Sequence, residues 1–271
     1  MSSVTSAPET DGAPVETDAD RLIEAFDRFR REIEARLRPA VLGTDPEALH
    51  DLRVAVRRTR SGLKHSKGLL SRKTRTRFMR EFSRLQDVTG PTRDYEVWMA
   101  SLPGDDPLRL VLAGYHDVAR VEAVAVLASR HTRMLMVRWH RELAELPAGN
   151  REVSSARVIA AQRERVVDAA AVATTDAATS DLHRMRKRVK ELRYLTEVFA
   201  DDAQRPQRKI LKKLQDALGE VQDVAVQREW LTAHAEEVGP IDVRLKELDE
   251  RDAAARASYG ELLAQLFSVA C

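Results

Sequence analysis

Four cationic positions spaced three, four and three residues apart, His50, Arg53, Arg57 and Arg60, recur as His183, Arg186, Lys190 and Arg193. Both sets read H-x2-R-x3-[RK]-x2-R, both follow a leucine (Leu49, Leu182), and they stand 133 residues apart. Guanidinium groups donate planar, bidentate hydrogen bonds to phosphate oxygens and do not deprotonate. Imidazole gains charge beside an anion. At about 100° per residue the four positions of each set fall within an arc of roughly 80° on a helix. Ordinary helical surface charge alternates in sign. A stripe of one sign, written twice, implies an anion site built from two halves. Each stripe spans about 15 Å of helix axis, which suits a chain of phosphates better than one phosphate. Lys64 extends the first stripe by a heptad, whereas the matching Glu197 does not extend the second.

Such stripes need helices that are anchored beside them. Leu49, Leu52, Val56 and Leu63 form an apolar seam next to the first stripe, and Leu182, Met185, Val189 and Leu192 form one next to the second. Each helix thus has a core face with its cations at the edge. The repeat extends to Leu85-Gln86-Asp87-Val88-Thr89-Gly90 and Leu214-Gln215-Asp216-Ala217-Leu218-Gly219, followed by Asp94 and Asp223. This describes a duplicated, pseudo-symmetric helical unit with a period far longer than that of solenoids. The LQD-bearing helices add cations. Arg77, Arg80 and Arg84 share a face, Lys209 and Lys213 match Arg80 and Arg84, and Lys212 is an extra. Arg93 is a weaker candidate because its counterpart is Gln222. In the second copy Lys187, Arg188 and Glu191 depart from the simple stripe.

The segments LHDLRVAVRRTR (49–60) and LHRMRKRVKELRY (182–194), with the two LQD-x-x-G segments, resemble the CHAD domain, the conserved-histidine α-helical domain. The resemblance covers roughly residues 19–268. It implies an all-α fold of two four-helix bundles related by a pseudo-twofold axis, with a basic surface or pore between them. It also implies binding of inorganic polyphosphate, with His50 and His183 as donors to phosphate. The expected site is His50, Arg53, Arg57, Arg60, Lys64, Arg77, Arg80, Arg84, His183, Arg186, Lys190, Arg193, Lys209, Lys212 and Lys213.

Other chemistries fit the sequence less well. A metal at either histidine is disfavoured, because cations follow three and seven positions on and no carboxylate joins at ligand spacing. Phosphate-binding glycine loops, HExxH and a Ser/His/Asp pattern are absent from the sequence. No catalytic residue, metal or cofactor is expected. A metal-dependent phosphohydrolase would have to use Asp87, Asp94, Asp216 and Asp223, the carboxylates tied to the repeat. Nucleic-acid binding is the alternative reading, but Trp98, Trp139 and Trp230 do not interleave with the stripes as stacking platforms would, and are expected in the core or half-buried at its edge.

The formal net charge of the 271 residues is only +2, so its distribution matters more than its sum. Residues 49–93 hold thirteen Lys/Arg against three acids, and residues 182–213 eleven against four, which focuses a positive field on the motifs. The lone cysteine, Cys271, forms no disulfide within the chain, and a reducing compartment fits. No apolar run reaches membrane-spanning length and no secretory signal pattern is visible, so a cytoplasmic location is expected, with association with polyphosphate granules if the chain binds their content.

Punctuation sets the expected boundaries. A tail at 1–17 is expected to be disordered, and the domain runs 18–268, as halves 18–147 and 151–268 about the turn Pro147-Ala148-Gly149-Asn150. Asp18 or Asp20 caps a first helix that Pro39 ends. Thr44-Asp45-Pro46 opens the first motif helix. A helical pattern runs from Pro107 to Leu146, with Gly114 as a kink. A helix covers roughly 154–173, Thr179-Ser180-Asp181 caps the second motif helix, and Pro206 and Gly239-Pro240 separate the last helices.

Overall fold

The computed structural model describes residues 17–146, 153–199 and 205–269. They form α1 (Asp18–Leu42), α2 (Ala48–His65), α3 (Arg72–Val88), α4 (Gly90–Ser101), α5 (Leu108–Leu127), α6 (Arg130–Ala144), α7 (Ser155–Val172), α8 (Thr179–Phe199), α9 (Arg205–Ala233), α10 (Ala235–Val238) and α11 (Asp242–Val269). No strand occurs among them, so the fold is all-α as expected. Most of the proposed tail and the Pro147–Asn150 turn lie outside the described residues.

The two motif helices form where the apolar seams predict. All eight seam residues are buried: Leu49, Leu52, Val56 and Leu63 on α2, and Leu182, Met185, Val189 and Leu192 on α8. α2 packs against α1 and α3, α8 packs against α7 and α9, and α8 also lies against α1 and α2. One apolar cluster runs from Ala19 to Leu266, so residues of both sequence halves share a core. Its aromatic centre is Trp139, fully buried between Phe26 (centroids 5.2 Å apart) and Phe78 (4.7 Å). Gly62 on α2 makes room for this cluster, because a Cβ there would stand 2.6 Å from the Phe26 ring.

Several boundaries differ from the sequence reading. Thr17, assigned to the tail, is the N-cap of α1. Its hydroxyl accepts from the Asp20 N–H at 3.2 Å while the Asp20 carboxylate accepts from the Thr17 N–H at 3.0 Å. Asp18 instead accepts from the Ser155 N–H at 2.8 Å, joining the starts of α1 and α7. Pro39 does not end α1. It lies inside the helix, which continues through it and stops at Gly43, whose φ of 68° is left-handed. The stretch 107–146 is two helices, divided where the Ser129 hydroxyl accepts from the Thr132 N–H and caps α6; Gly114 lies inside α5. Pro91 at the first turn marks the separation of α3 from α4, whereas the equivalent Glu220 lets α9 run 29 residues without a break.

Candidate anion-binding site

α2 and α8 present their charged edges to one cavity of about 680 Å³. His50, Arg53, Arg57 and Arg60 enter from α2, and Arg186 and Lys190 from α8, 133 residues away in the chain. Arg93, Asp94 and Trp98 come from α4; Gln222, Asp223 and Trp230 come from α9. Six arginine and lysine side chains therefore face two carboxylates, Asp94 and Asp223. Arg93 pairs with Glu96 at 3.1 Å outside this set, and the other five cations outnumber the two carboxylates.

The first arginine of each motif lies beside a glycine of the repeat. A Cβ at Gly90 would stand 3.6 Å from the Arg53 guanidinium, and one at Gly219 would stand 3.8 Å from that of Arg186. Both distances are ordinary van der Waals contacts, Gly90 starting α4 and Gly219 lying inside α9. Arg53 Nη1 donates to the Gln86 carbonyl at 2.7 Å and to the Thr89 hydroxyl at 2.9 Å, which fixes its position at the α3–α4 junction. Arg57, Arg60, Arg186 and Lys190 make no hydrogen bond or ion pair with any described residue. The buried Nε atoms of Arg60 and Arg186 are donors without a partner. Cations elsewhere are treated differently: Arg36 meets Asp45 and Asp51, Arg244 meets Asp106, and Arg256 meets Asp252.

The electrostatics report the same crowding. Burial, then Arg186 and Arg57, push the Lys190 ammonium down to about 7. Burial pushes Arg53 down to about 10, and lowers Arg60 and Arg186. Arg57 adds a repulsive contribution at His50, Arg53 and Arg60 on its own helix and at Arg186 and Lys190 on the other, so it is the hub of the cluster. Burial first, then neighbouring cations, also hold His50 and His183 below the ordinary histidine value, leaving both imidazoles neutral at pH 7. Asp94 and Asp223 open to solvent at the cavity wall, yet the protein around them thins their hydration and raises both, against the pull of Arg53 and Arg186 respectively. Among the described residues no group of three His, Cys, Asp or Glu side chains is placed to hold a metal ion.

The remaining residues expected from sequence lie elsewhere. His183 adjoins the cavity without lining it, beside Gln222 and Lys187. Arg193 turns to Glu197 at 2.8 Å and Gln215 at 3.0 Å, and its guanidinium lies 4.6 Å from the Tyr194 ring centre. Lys64 points toward Glu191 at 3.9 Å. Arg77 pairs with Glu142 at 3.1 Å and Arg80 approaches Glu81 at 3.8 Å. Arg84, Lys209 and Lys212 are exposed outside the cavity, and Lys213 lines a separate groove with Glu220 and Arg251. The α3 and α9 cations share a helical face, but that face is not the one turned to α2 and α8.

The two acidic departures from the stripe in the second copy have a structural role. Glu191 receives His65 at 3.0 Å, and Glu197 receives Arg58 at 3.1 Å, so both acids clamp α8 to α2. Sequence reasoning missed Val97 and Val226. Both line the cavity, 45% and 48% exposed, and both stand three residues after a repeat aspartate. That D-x2-V extension of the repeat was the available signal. Trp98 and Trp230, expected in the core or half-buried at its edge, also line this cavity; Trp139 is core.

The fold and the site define an all-α protein organised around a duplicated histidine–arginine helix motif. It belongs to the CHAD domain family, whose profile matches residues 23–232. The chain is similar to the crystal structure of the CHAD domain from the plant Ricinus communis (25% identity, TM-score 0.68, 91% of this chain and 86% of that one). It is also similar in fold to PptA from Streptomyces chartreusis (15% identity, TM-score 0.69, 92% and 98%). No curated protein sequence matches it. None of the described helices is long and apolar enough to cross a membrane.

Proposed function

We propose that the protein binds a linear polyphosphate through one cavity shared by both motif copies, as a non-catalytic binding or targeting module. The carrying observation is the unpartnered set Arg57, Arg60, Arg186 and Lys190, gathered from two distant segments into one wall. Uncompensated cations in a partly buried place are costly unless a counter-charge arrives. A phosphate chain supplies regularly spaced oxygens to which each guanidinium donates in pairs. Its length lets one ligand satisfy both helices. The same binding would take the protein to polyphosphate granules in the cytoplasm.

Titrating the full chain with long-chain polyphosphate at several salt concentrations tests this. Affinity should fall steeply with salt, because cation–phosphate contacts release counterions. Duplex DNA at equal phosphate concentration should not displace the ligand, since the cations line a cavity and not an outward face. Absence of polyphosphate binding, or displacement by DNA, refutes the reading.

A further inference from the structure

Part of the lining of this cavity is not suited to a phosphate chain. Tyr95, Val97 and Trp98 of α4 and Val226 and Trp230 of α9 line the same cavity. The aromatic part is rigidly built: Trp98 meets Trp230 edge-on at 5.2 Å, Tyr95 meets Trp230 at 6.5 Å, and His234 stacks on Trp230 at 4.1 Å. The valines are exposed and occupy equivalent places in the repeat, one turn beyond Asp94 and Asp223. Phosphate oxygens gain nothing from such a surface and lose hydration against it. An aromatic ring would gain both apolar burial and edge or face contact with the rings.

The two carboxylates carry the argument further. Asp94 lies close enough to Arg53, Arg57, Arg186 and Lys190 to feel all four, and Asp223 lies close enough to Arg186 and Lys190. Neither makes a hydrogen bond or ion pair with a described residue. An ionised carboxylate only accepts hydrogen bonds. Internal phosphates of an inorganic chain have no donor to offer and would be repelled. A ligand whose hydroxyl groups sit between its phosphates and an apolar body removes that conflict. A ribose does so: paired hydroxyls on a carboxylate are a recurrent means of holding nucleotides. The Gln222 amide, beside His183, also lines the cavity and offers its remaining hydrogen-bonding capacity to a base edge. The volume of about 680 Å³ is of small-molecule size.

We infer that the cavity binds a nucleoside 5′-oligophosphate, with the phosphates on Arg57, Arg186 and Lys190, the ribose hydroxyls on Asp94 and Asp223, and the base against the Tyr95–Trp98–Trp230 wall. This rests on the anion reading of the motif cations and deepens it by naming a second ligand class for the same site. Inorganic chains would then occupy only its basic half.

The test compares ATP with inorganic tripolyphosphate, which has the same number of phosphates, on the full chain and on the Asp94→Ala/Asp223→Ala double variant. Calorimetry gives affinity, and tryptophan fluorescence reports whether a base reaches the wall, Trp139 being sealed in the core. Both carboxylates are exposed and unpaired, so the variant should keep its fold, which circular dichroism checks. In the native chain ATP should bind about tenfold or more tighter than tripolyphosphate and quench tryptophan emission. In the variant the two ligands should move in opposite directions: ATP weakens by about tenfold as its ribose partners go, while tripolyphosphate tightens as repulsion is lifted. Equal affinities in the native chain, or tightening of both ligands in the variant, overturns the nucleotide inference and leaves the polyphosphate reading intact. Binding of ATP with no binding of tripolyphosphate or long chains refutes the polyphosphate reading alone. No binding by any of the three refutes both.

Discussion

Lys190 offers a direct physical probe of the site. Burial beside Arg186 and Arg57 holds its ammonium at about 7 in the empty cavity, against the ordinary 10.5. At pH 8 only about one tenth of it is therefore charged. A bound polyanion replaces that repulsion with attraction and lifts the group back above the working pH. Each binding event at pH 8 should then take up about 0.9 proton at Lys190, falling to about 0.5 at pH 7. Affinity at pH 8 should weaken by nearly tenfold per pH unit, about 1.4 kcal/mol. Calorimetric titration with long-chain polyphosphate, whose titrating end groups are dilute, in two buffers of different ionisation enthalpy gives the proton count directly. Lys190→Arg keeps the charge but stays protonated when empty. It should lose the Lys190 share of the uptake and bind about tenfold tighter at pH 8. Protons taken up by His50 or His183 would persist in the variant, so the difference isolates Lys190. Equal proton uptake by both proteins, or pH-independent affinity from pH 7 to 9, refutes the assignment.

If one ligand spans both motifs, Arg53→Glu/Arg57→Glu and Arg186→Glu/Lys190→Glu should each cost at least a hundredfold in polyphosphate affinity; Arg72→Glu/Lys73→Glu, exposed at the start of α3, and Arg80→Glu/Arg84→Glu should each cost less than fivefold, and halved stoichiometry at unchanged affinity in either motif variant refutes the shared site. Lys190→Met should stabilise the empty protein at pH 7: the unfolded chain binds the lysine proton as pH falls below 10.5 and the folded chain resists it down to about 7, so native stability declines over that window and the variant should escape the decline in urea unfolding at pH 7 and 10. Glu191→Gln should destabilise by about 1–3 kcal/mol at neutral pH, because its hydrogen bond from His65, more than the nearby cations, holds Glu191 below 4.5; that stability is present above 4.5 and lost as pH falls through the lowered value, so native and variant curves should converge in acid. Gly62→Ala should destabilise despite a helix-propensity gain of about 1 kcal/mol, because its Cβ meets the fully buried Phe26 ring and overpacking costs about 1–3 kcal/mol; urea denaturation reads the balance.

The parts legible in the sequence are those set along one helix. The three-four-three spacing places His50, Arg53, Arg57 and Arg60 at one edge of α2, and the neighbouring seam is buried throughout. The duplication gives the equivalent helix and the LQD partners. What spacing does not contain is the angle at which helices meet. Arg77, Arg80 and Arg84 share a face as cleanly as the motif cations, yet Arg77 and Arg80 turn to acids, and none of the three enters the cavity. Trp98 and Trp230 look like core residues in isolation, and only the crossing of α4 and α9 shows that they also close a basic cavity. Glu191 and Glu197 read as defects in a stripe until α2 lies alongside to receive them.

The unpartnered cations have a consequence for the life of the protein in a cell. Repulsion among Arg57, Arg186 and Lys190 is carried by the folded chain whenever the cavity is empty, and is relieved on binding. A ligand that binds only the folded form shifts the population away from unfolding as its concentration rises. Small shifts of that kind change how much of a protein survives proteolysis. If the cavity binds a polyanion as proposed, the steady-state amount of this chain should follow the supply of that anion, rising when it is abundant and falling when it is scarce. A site that binds such an anion would thereby also act as a gauge of it.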